Sequence, residues 1–213
     1  MAPVGAPRLL AITDLSLSAP ELVVRLRRLA EAASARSVAL LLRDHAASAK
    51  QRFELGHALR DIARSSEQEL WVADRLDLAL LLEADGVHLG EASVSATVAR
   101  RLIGGATRIS RAWHAASLQA CAEGDELREV DALLVSPVCA PRKGRAALGL
   151  AALGALGEQL RARNPACQLY ALGGVSAENA AACRAAGAFG VAAIGAALAA
   201  DPLPLLDALD LRR

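Results

Sequence analysis

The chain carries almost no excess charge: 24 Lys and Arg side chains face 23 Asp and Glu, a formal net charge of +1 over 213 residues. With no long basic run, it lacks the electrostatic footprint for tracking nucleic acid or gripping an anionic membrane, and neither is expected as a partner. Small neutral or locally anionic ligands remain open. Lysine occurs only at positions 50 and 143, so arginine supplies nearly all the basic charge, a bias of composition and not a binding surface. Aromatic residues make up 2%, and the 54% apolar content rests on Ala and Leu. Charges interrupt every apolar stretch well before the roughly 20 residues that a spanning helix needs. Residues 1–8 show no charged region leading into an apolar run, so they do not read as a secretory signal, and a cytoplasmic location is expected. The four cysteines, Cys121, Cys139, Cys167 and Cys183, form no CxxC pair. Neither zinc spacing nor a disulfide framework follows, and they are expected to be buried or idle thiols.

What is present is an alternation of short β-like runs with Ala/Leu/Arg segments of helical period, the pattern of parallel strands joined by crossover helices. Eight strands are expected, at 9–13, 38–43, 70–74, 86–90, 108–112, 132–136, 168–172 and 190–194. Several are continuous apolar runs, as a sheet covered by helices outside and filled by side chains inside requires. The helix at 20–33 opens after Ser18 and repeats Leu22, Val23, Leu26 and Leu29 at helical spacing; the helix at 176–186 starts at Ser176 and stops at Gly187. Eight such units define an α/β fold, a single (β/α)8 TIM barrel over residues 1–213, at the lean end of that fold's length. An open doubly wound sheet would carry a GxGxxG turn after its first strand, and none is there. The only Pro/Gly/Ala-rich interior stretch, 136–149, has the length of one loop.

Active sites of such barrels are built at the strand C-termini and the loops that follow. Read off in order, those positions hold Thr13 and Asp14, then Arg43, Asp44 and His45, then Asp74 and Arg75, then Glu91. Arg111 and His114, Arg142 and Lys143, and the pair Gly173 and Gly174 complete the ring. Gly173 and Gly174 follow an apolar strand and precede a helix cap, so their amides suit an anion at a helix N-terminus, with Gly195 and Ala196 supplying neighbouring amides. This points to a phosphorylated ligand. Asp74 either helps hold Mg²⁺ with a diphosphate, Glu91 and Ser93 being the next candidates, or pairs with Arg43 or Arg75. His114 stands between a strand and a helix expected to start near Ala115, where an imidazole can take and return a proton. His45 is in reach of a ligand, while His88 inside a strand reads as structural and His57 as outside the barrel.

Several segments together resemble the thiamin phosphate synthase and TenI superfamily. They are Leu10-Ala-Ile-Thr-Asp14, Leu42-Arg43, Asp74-Arg-Leu-Asp-Leu-Ala79, Ala84-Asp-Gly-Val-His-Leu-Gly90, Ser136-Pro-Val138, Ala171-Leu-Gly-Gly-Val175 with Asn179, and Ala186-Gly-Ala-Phe-Gly-Val-Ala192. The resemblance implies one of two chemistries on a small phosphorylated thiazole or pyrimidine ligand. The synthase branch joins a hydroxymethylpyrimidine diphosphate to a thiazole phosphate with Mg²⁺, releasing diphosphate. The tautomerase branch aromatises a thiazole carboxylate phosphate by proton transfer alone.

The synthase pattern Gln-x-Arg-Glu-Lys corresponds here to Leu41-Leu-Arg-Asp-His45, its Asn-Asp metal pair to Ala73-Asp74, and its second metal-binding Asp to Ser93. The Thr-x-Thr-Lys loop is replaced by Cys139-Ala-Pro-Arg-Lys-Gly144. By contrast Ile109-Ser-Arg-Ala-Trp-His114 resembles the Ile-Gly-Arg-Ser-Val-His segment of TenI-type tautomerases. The expectation is therefore a TenI-like thiazole tautomerase, an isomerase without cofactor or metal, with His114 as acid/base. Arg43, His45, Asp74, Arg111 and Lys143 would bind the substrate, and Gly173, Gly174, Gly195 and Ala196 its phosphate. The alternatives are a divergent synthase using Mg²⁺ at Asp74, and a catalytically silent barrel that binds a thiamin precursor. A homodimer is expected only because small enzymes commonly form one.

Overall fold

In a computed structural model the chain forms a closed barrel of eight parallel strands in chain order. The structure describes residues 5–44, 46–118 and 125–213, and of residues 125 and 126 only the backbone. The strands are β1 (Leu9–Ile12), β2 (Val38–Leu42), β3 (Glu69–Ala73), β4 (Gly86–Leu89), β5 (Arg108–Trp113), β6 (Ala132–Val135), β7 (Gln168–Leu172) and β8 (Gly190–Ala193). Outside them lie α1 (Ala19–Ala32), α2 (Ala49–Ser65), α3 (Leu76–Leu81), α4 (Ala96–Ile103), α5 (Gly149–Arg163), α6 (Ala177–Ala185) and α7 (Leu203–Ala208). The eight expected strands all form, each end within one residue of its expected place.

Local chemistry starts the helices where the loops end. Ser18 accepts the Glu21 amide and Pro20 sits in the first turn of α1. Ser48 and Gln51 form a reciprocal capping box at α2, with bonds of 3.2 and 2.9 Å. Ser95 caps α4, which ends at Gly104 with φ +78°.

Strand alternation sorts the core into two. One cluster, with Leu10, Ile12, Leu41, Trp71, Leu134 and Tyr170, fills the barrel; the larger one lies between the strands and the helices. The filling is asymmetric, and glycines make room for it: a Cβ on Gly86 would sit 2.5 Å from the Trp71 ring, and one on Gly190 2.8 Å from that of Tyr170. At the floor, Trp71 Nε1 donates to Glu69 (2.7 Å), which also faces Arg108 at 3.4 Å. The barrel's other end is thereby left to smaller side chains and open space.

One expectation is corrected. No α-helix starts near Ala115: residues 115–117 are bends, and a 3₁₀ turn, Asp125–Arg128, follows among the described residues. Leu118 is tied instead to α5, its amide donating to Gln159 (3.0 Å) and its carbonyl accepting from Arg163 (2.8 Å). Cys167 is buried, but Cys139 and Cys183 meet with sulfurs 3.5 Å apart; Cys121 lies outside the described residues.

Candidate active site

A cavity of about 870 Å³ opens at the C-terminal end of the barrel. Of the expected site residues, Arg43, Asp74, His114, Lys143, Gly173, Gly174, Gly195 and Ala196 all line it. His45 lies outside the described residues. Arg111 does not line the cavity: β5 continues to Trp113, so Ser110 and Ala112 point inward and Arg111 outward, where it donates to Val94 O at 2.9 Å.

Arg43 is fixed through its backbone. The Thr13 hydroxyl donates to Arg43 O (3.1 Å) and accepts from Arg43 N (2.8 Å), so buried Thr13 locks the ends of β1 and β2 together rather than facing a ligand. Asp74 stands at φ +62°, and its Oδ1 accepts from Gly90 N (3.0 Å) and from the Ser93 hydroxyl. Arg75 turns instead to Asp77 at 2.8 Å, and that bond holds the Asp77 carboxyl down to about 2.

Two histidines reach the cavity. His114 Nδ1 lies 2.8 Å from Ser136 O, which can only accept, so Nδ1 carries the proton and Nε2 is the basic atom, 3.9 Å from Glu91 Oε2. His88, also lining the cavity, is buried at the barrel's centre, and desolvation lowers its pKa to about 4. Its Nδ1 lies 3.0 Å from Ser110 Oγ, whose one proton goes to Val87 O. His88 is therefore neutral with Nδ1–H as donor, a structural bond as its place inside a strand suggested.

The wall after β6 is a hairpin. Arg142 and Arg145 exchange two backbone bonds of 3.0 Å around Lys143 (φ +51°) and Gly144 (φ +73°), the two-residue turn with both centres left-handed. It brings Arg142, Lys143 and Arg145 to the cavity, and Arg145 ties it to the β4–α4 loop through Glu91 at 2.9 Å. Arg145 was not expected in the site; the Lys-Gly dipeptide between two arginines was the signal for it.

Opposite in kind is the turn after β7, which offers amides in place of cations. Gly173 (φ +97°) and Gly174 (φ +73°) are both required there: a Cβ on the first would lie 2.8 Å from Pro137 Cα, and one on the second 2.5 Å from Ala140 Cβ. Gly173 O accepts the amides of Cys139 (2.8 Å) and Ala140 (3.3 Å), and Asn179 Nδ2 donates to Gly174 O (2.9 Å), so the turn is braced on both sides. The N-terminus of α6 follows directly.

Among the described residues no three His, Cys, Asp or Glu side chains gather as a metal site. The oxygen donors at the cavity, Asp74 with neutral Ser93 beside it, fit a Mg²⁺ held mainly by a ligand's own oxygens, since that ion needs only one or two protein carboxylates. Glu91 is engaged by Arg145.

Fold and site define a (β/α)8 barrel protein with a cavity at the C-terminal ends of its strands. Residues 9–197 match the family model described as thiamine monophosphate synthase, TMP-TENI, and the chain belongs to that family of enzymes. It is 36% identical over 164 residues to the thiamine-phosphate synthase of Natronomonas pharaonis, covering 75% of this chain and 73% of the relative. It is likewise 36% identical over 163 residues to that of Chloroflexus aurantiacus, covering 75% and 71%. The solved thiamine phosphate pyrophosphorylase of Pyrococcus furiosus superposes with a TM-score of 0.79 at 29% identity, over 95% of each chain. These relatives overturn the tautomerase expectation, and with it the isomerase assignment. That expectation rested on departures from the synthase pattern at 41–45, 73, 93 and 139–144 and on the six-residue segment ending in His114, whereas the synthase likeness runs through three quarters of the chain. Among the described residues no helix is long and apolar enough to cross a membrane.

Proposed function

We propose that the chain is a divergent thiamine-phosphate synthase, which joins hydroxymethylpyrimidine diphosphate to a thiazole phosphate and releases diphosphate. One observation carries this reading: a single cavity holds two anion-binding features of different kind, the Arg142, Lys143 and Arg145 hairpin with Arg43, and the amides at Gly173, Gly174, Gly195 and Ala196. A reaction between two phosphorylated halves needs both. The mobile, strongly charged diphosphate suits guanidinium and ammonium groups, which follow a departing anion. The smaller, unreacting phosphate monoester suits fixed amides at a helix N-terminus.

In the coupling, the lone pair of the thiazole nitrogen forms the C–N bond to the pyrimidine methylene carbon, and the C–O pair leaves with diphosphate. No proton is taken or given in that step. His114 then acts as a polar contact on the cavity wall, its Nε2 open to a ligand donor while Ser136 fixes its ring. Arg43 and the hairpin cations oppose the charge that builds on the leaving group, the main electrostatic demand of the step. His45 stands where the synthase pattern carries Lys. A magnesium ion, when bound, supplies further neutralisation of the diphosphate, and Asp74 is the residue that would hold it.

The test is release of diphosphate from the two substrates together, with Mg²⁺ and then with EDTA. Release that requires both substrates and Mg²⁺ supports the reading. Thermal stabilisation by the substrates without any turnover would overturn it in favour of a binding barrel.

A further inference from the structure

Cys139 and Cys183 are 44 residues apart in the chain, yet their sulfurs are in direct contact at 3.5 Å. Cys139 is partly exposed in the loop after β6, and Cys183 is buried on the inner face of α6. We propose that these two thiols form a reversible intramolecular disulfide, a modification site that joins the β6 loop to α6. The pair has the division of labour that such chemistry needs, one residue partly exposed and the other buried against it. The sulfurs have only about 1.5 Å to close to reach disulfide length.

With hydrogen peroxide as oxidant the step balances. The Cys139 sulfur attacks a peroxide oxygen, the O–O bond breaks, and a sulfenic acid and one water form. The Cys183 sulfur then attacks the Cys139 sulfur, the S–S bond forms as the S–O bond breaks, and the hydroxyl leaves with the Cys183 proton as a second water. Two thiols are oxidised and one peroxide is reduced.

The placement ties the bond to the anion turn. The amides of Cys139 and Ala140 both hold Gly173 O, Ala140 packs where Gly174 leaves no room for a Cβ, and α6 begins just beyond. A disulfide therefore encloses Gly173 and Gly174 within a covalent ring running from residue 139 to 183. The proposal does not depend on the synthase reading.

The experiment oxidises the folded full-length chain with hydrogen peroxide, counts thiols after unfolding and maps the cross-linked peptides by mass spectrometry. The expected result is a fall from four titratable thiols to two, a Cys139–Cys183 peptide, and recovery of all four with dithiothreitol. Cys139→Ser and Cys183→Ala each retain three thiols in the dithiothreitol-treated state and yield no such peptide. In Cys183→Ala the Cys139 sulfenic acid accumulates and is trapped by a dione reagent. Retention of all four thiols by the wild type, a disulfide through Cys121 or Cys167, or over-oxidised Cys139 beside an intact Cys183 thiol would overturn the proposal.

Discussion

Ser93 donates its hydroxyl to Oδ1 of Asp74, the same oxygen that accepts the Gly90 amide. The carboxylate is thus aimed by two neutral donors, at the position where the synthase pattern pairs it with a second acid. Asp74→Asn keeps that geometry and removes the charge, so its kcat for diphosphate release is expected to fall about 100-fold or more. Ser93→Asp adds the missing charge beside Asp74, and the Mg²⁺ concentration for half-maximal activity is expected to drop several-fold in a metal titration. An unchanged metal dependence in both variants would remove Asp74 from the ion's surroundings.

His114 separates two chemistries. A proton-transfer catalyst loses about 10²- to 10⁴-fold in rate when its imidazole is removed. In the coupling reaction no proton moves, and His114→Ala is expected to lose less than about 10-fold in kcat, with the larger change in KM. Steady-state kinetics of diphosphate release decide between them.

The two glycines of the turn after β7 and the glycine after β8 differ in how they meet an added methyl group. Gly174→Ala forces a Cβ to 2.5 Å from Ala140 at φ +73°, and a loss of roughly 1–3 kcal/mol is expected, together with inorganic phosphate binding. At Gly195 nothing lies within 4 Å of an added Cβ, so Gly195→Ala is expected to stay within about 0.5 kcal/mol of the parent. Urea unfolding of the two variants, side by side, measures the contrast.

Burial of His88 makes stability depend on pH. Its pKa falls from 6.5 to about 4 on folding, so below 6.5 the unfolded chain binds a proton that the native barrel refuses. The contribution is fully present above pH 6.5, is lost as pH falls from 6.5 towards 4, and levels off below that. Asparagine can replace the Nδ1–H donor to Ser110 without a titrating ring, and His88→Asn is expected to flatten the stability profile across that window. A profile as steep as the parent's would assign the dependence to other groups.

Much of this molecule was legible before any coordinates. The strands are short buried apolar runs between helices with serine caps, signals that act within a few residues, and they fall within one residue of expectation. Knowing the strands, the fold rule that function gathers at their C-terminal ends identified Arg43, Asp74, His114, Lys143 and the glycine turns as cavity residues. Arg111 was counted among the residues after the fifth strand although it falls inside the expected 108–112 run. In the barrel it sits on the outward face of a strand that runs to Trp113. The tautomerase expectation weighed a few strand-end and loop positions, the segment ending in His114 among them, above the rest of the chain, and a strand end recurs across a superfamily whatever reaction the whole cavity performs.

The sequence by itself determined the eight-stranded barrel and the ring of polar residues at its mouth, because hydrophobic period, capping and glycine placement are local properties. Only the tertiary structure decided which members of that ring meet. Ser93 with Asp74, Arg145 with Glu91, 54 residues apart, and Cys139 with Cys183 come together through closure of the barrel and the path of the loops over its rim. Those pairings depend on distances across the fold that no pattern along the chain encodes.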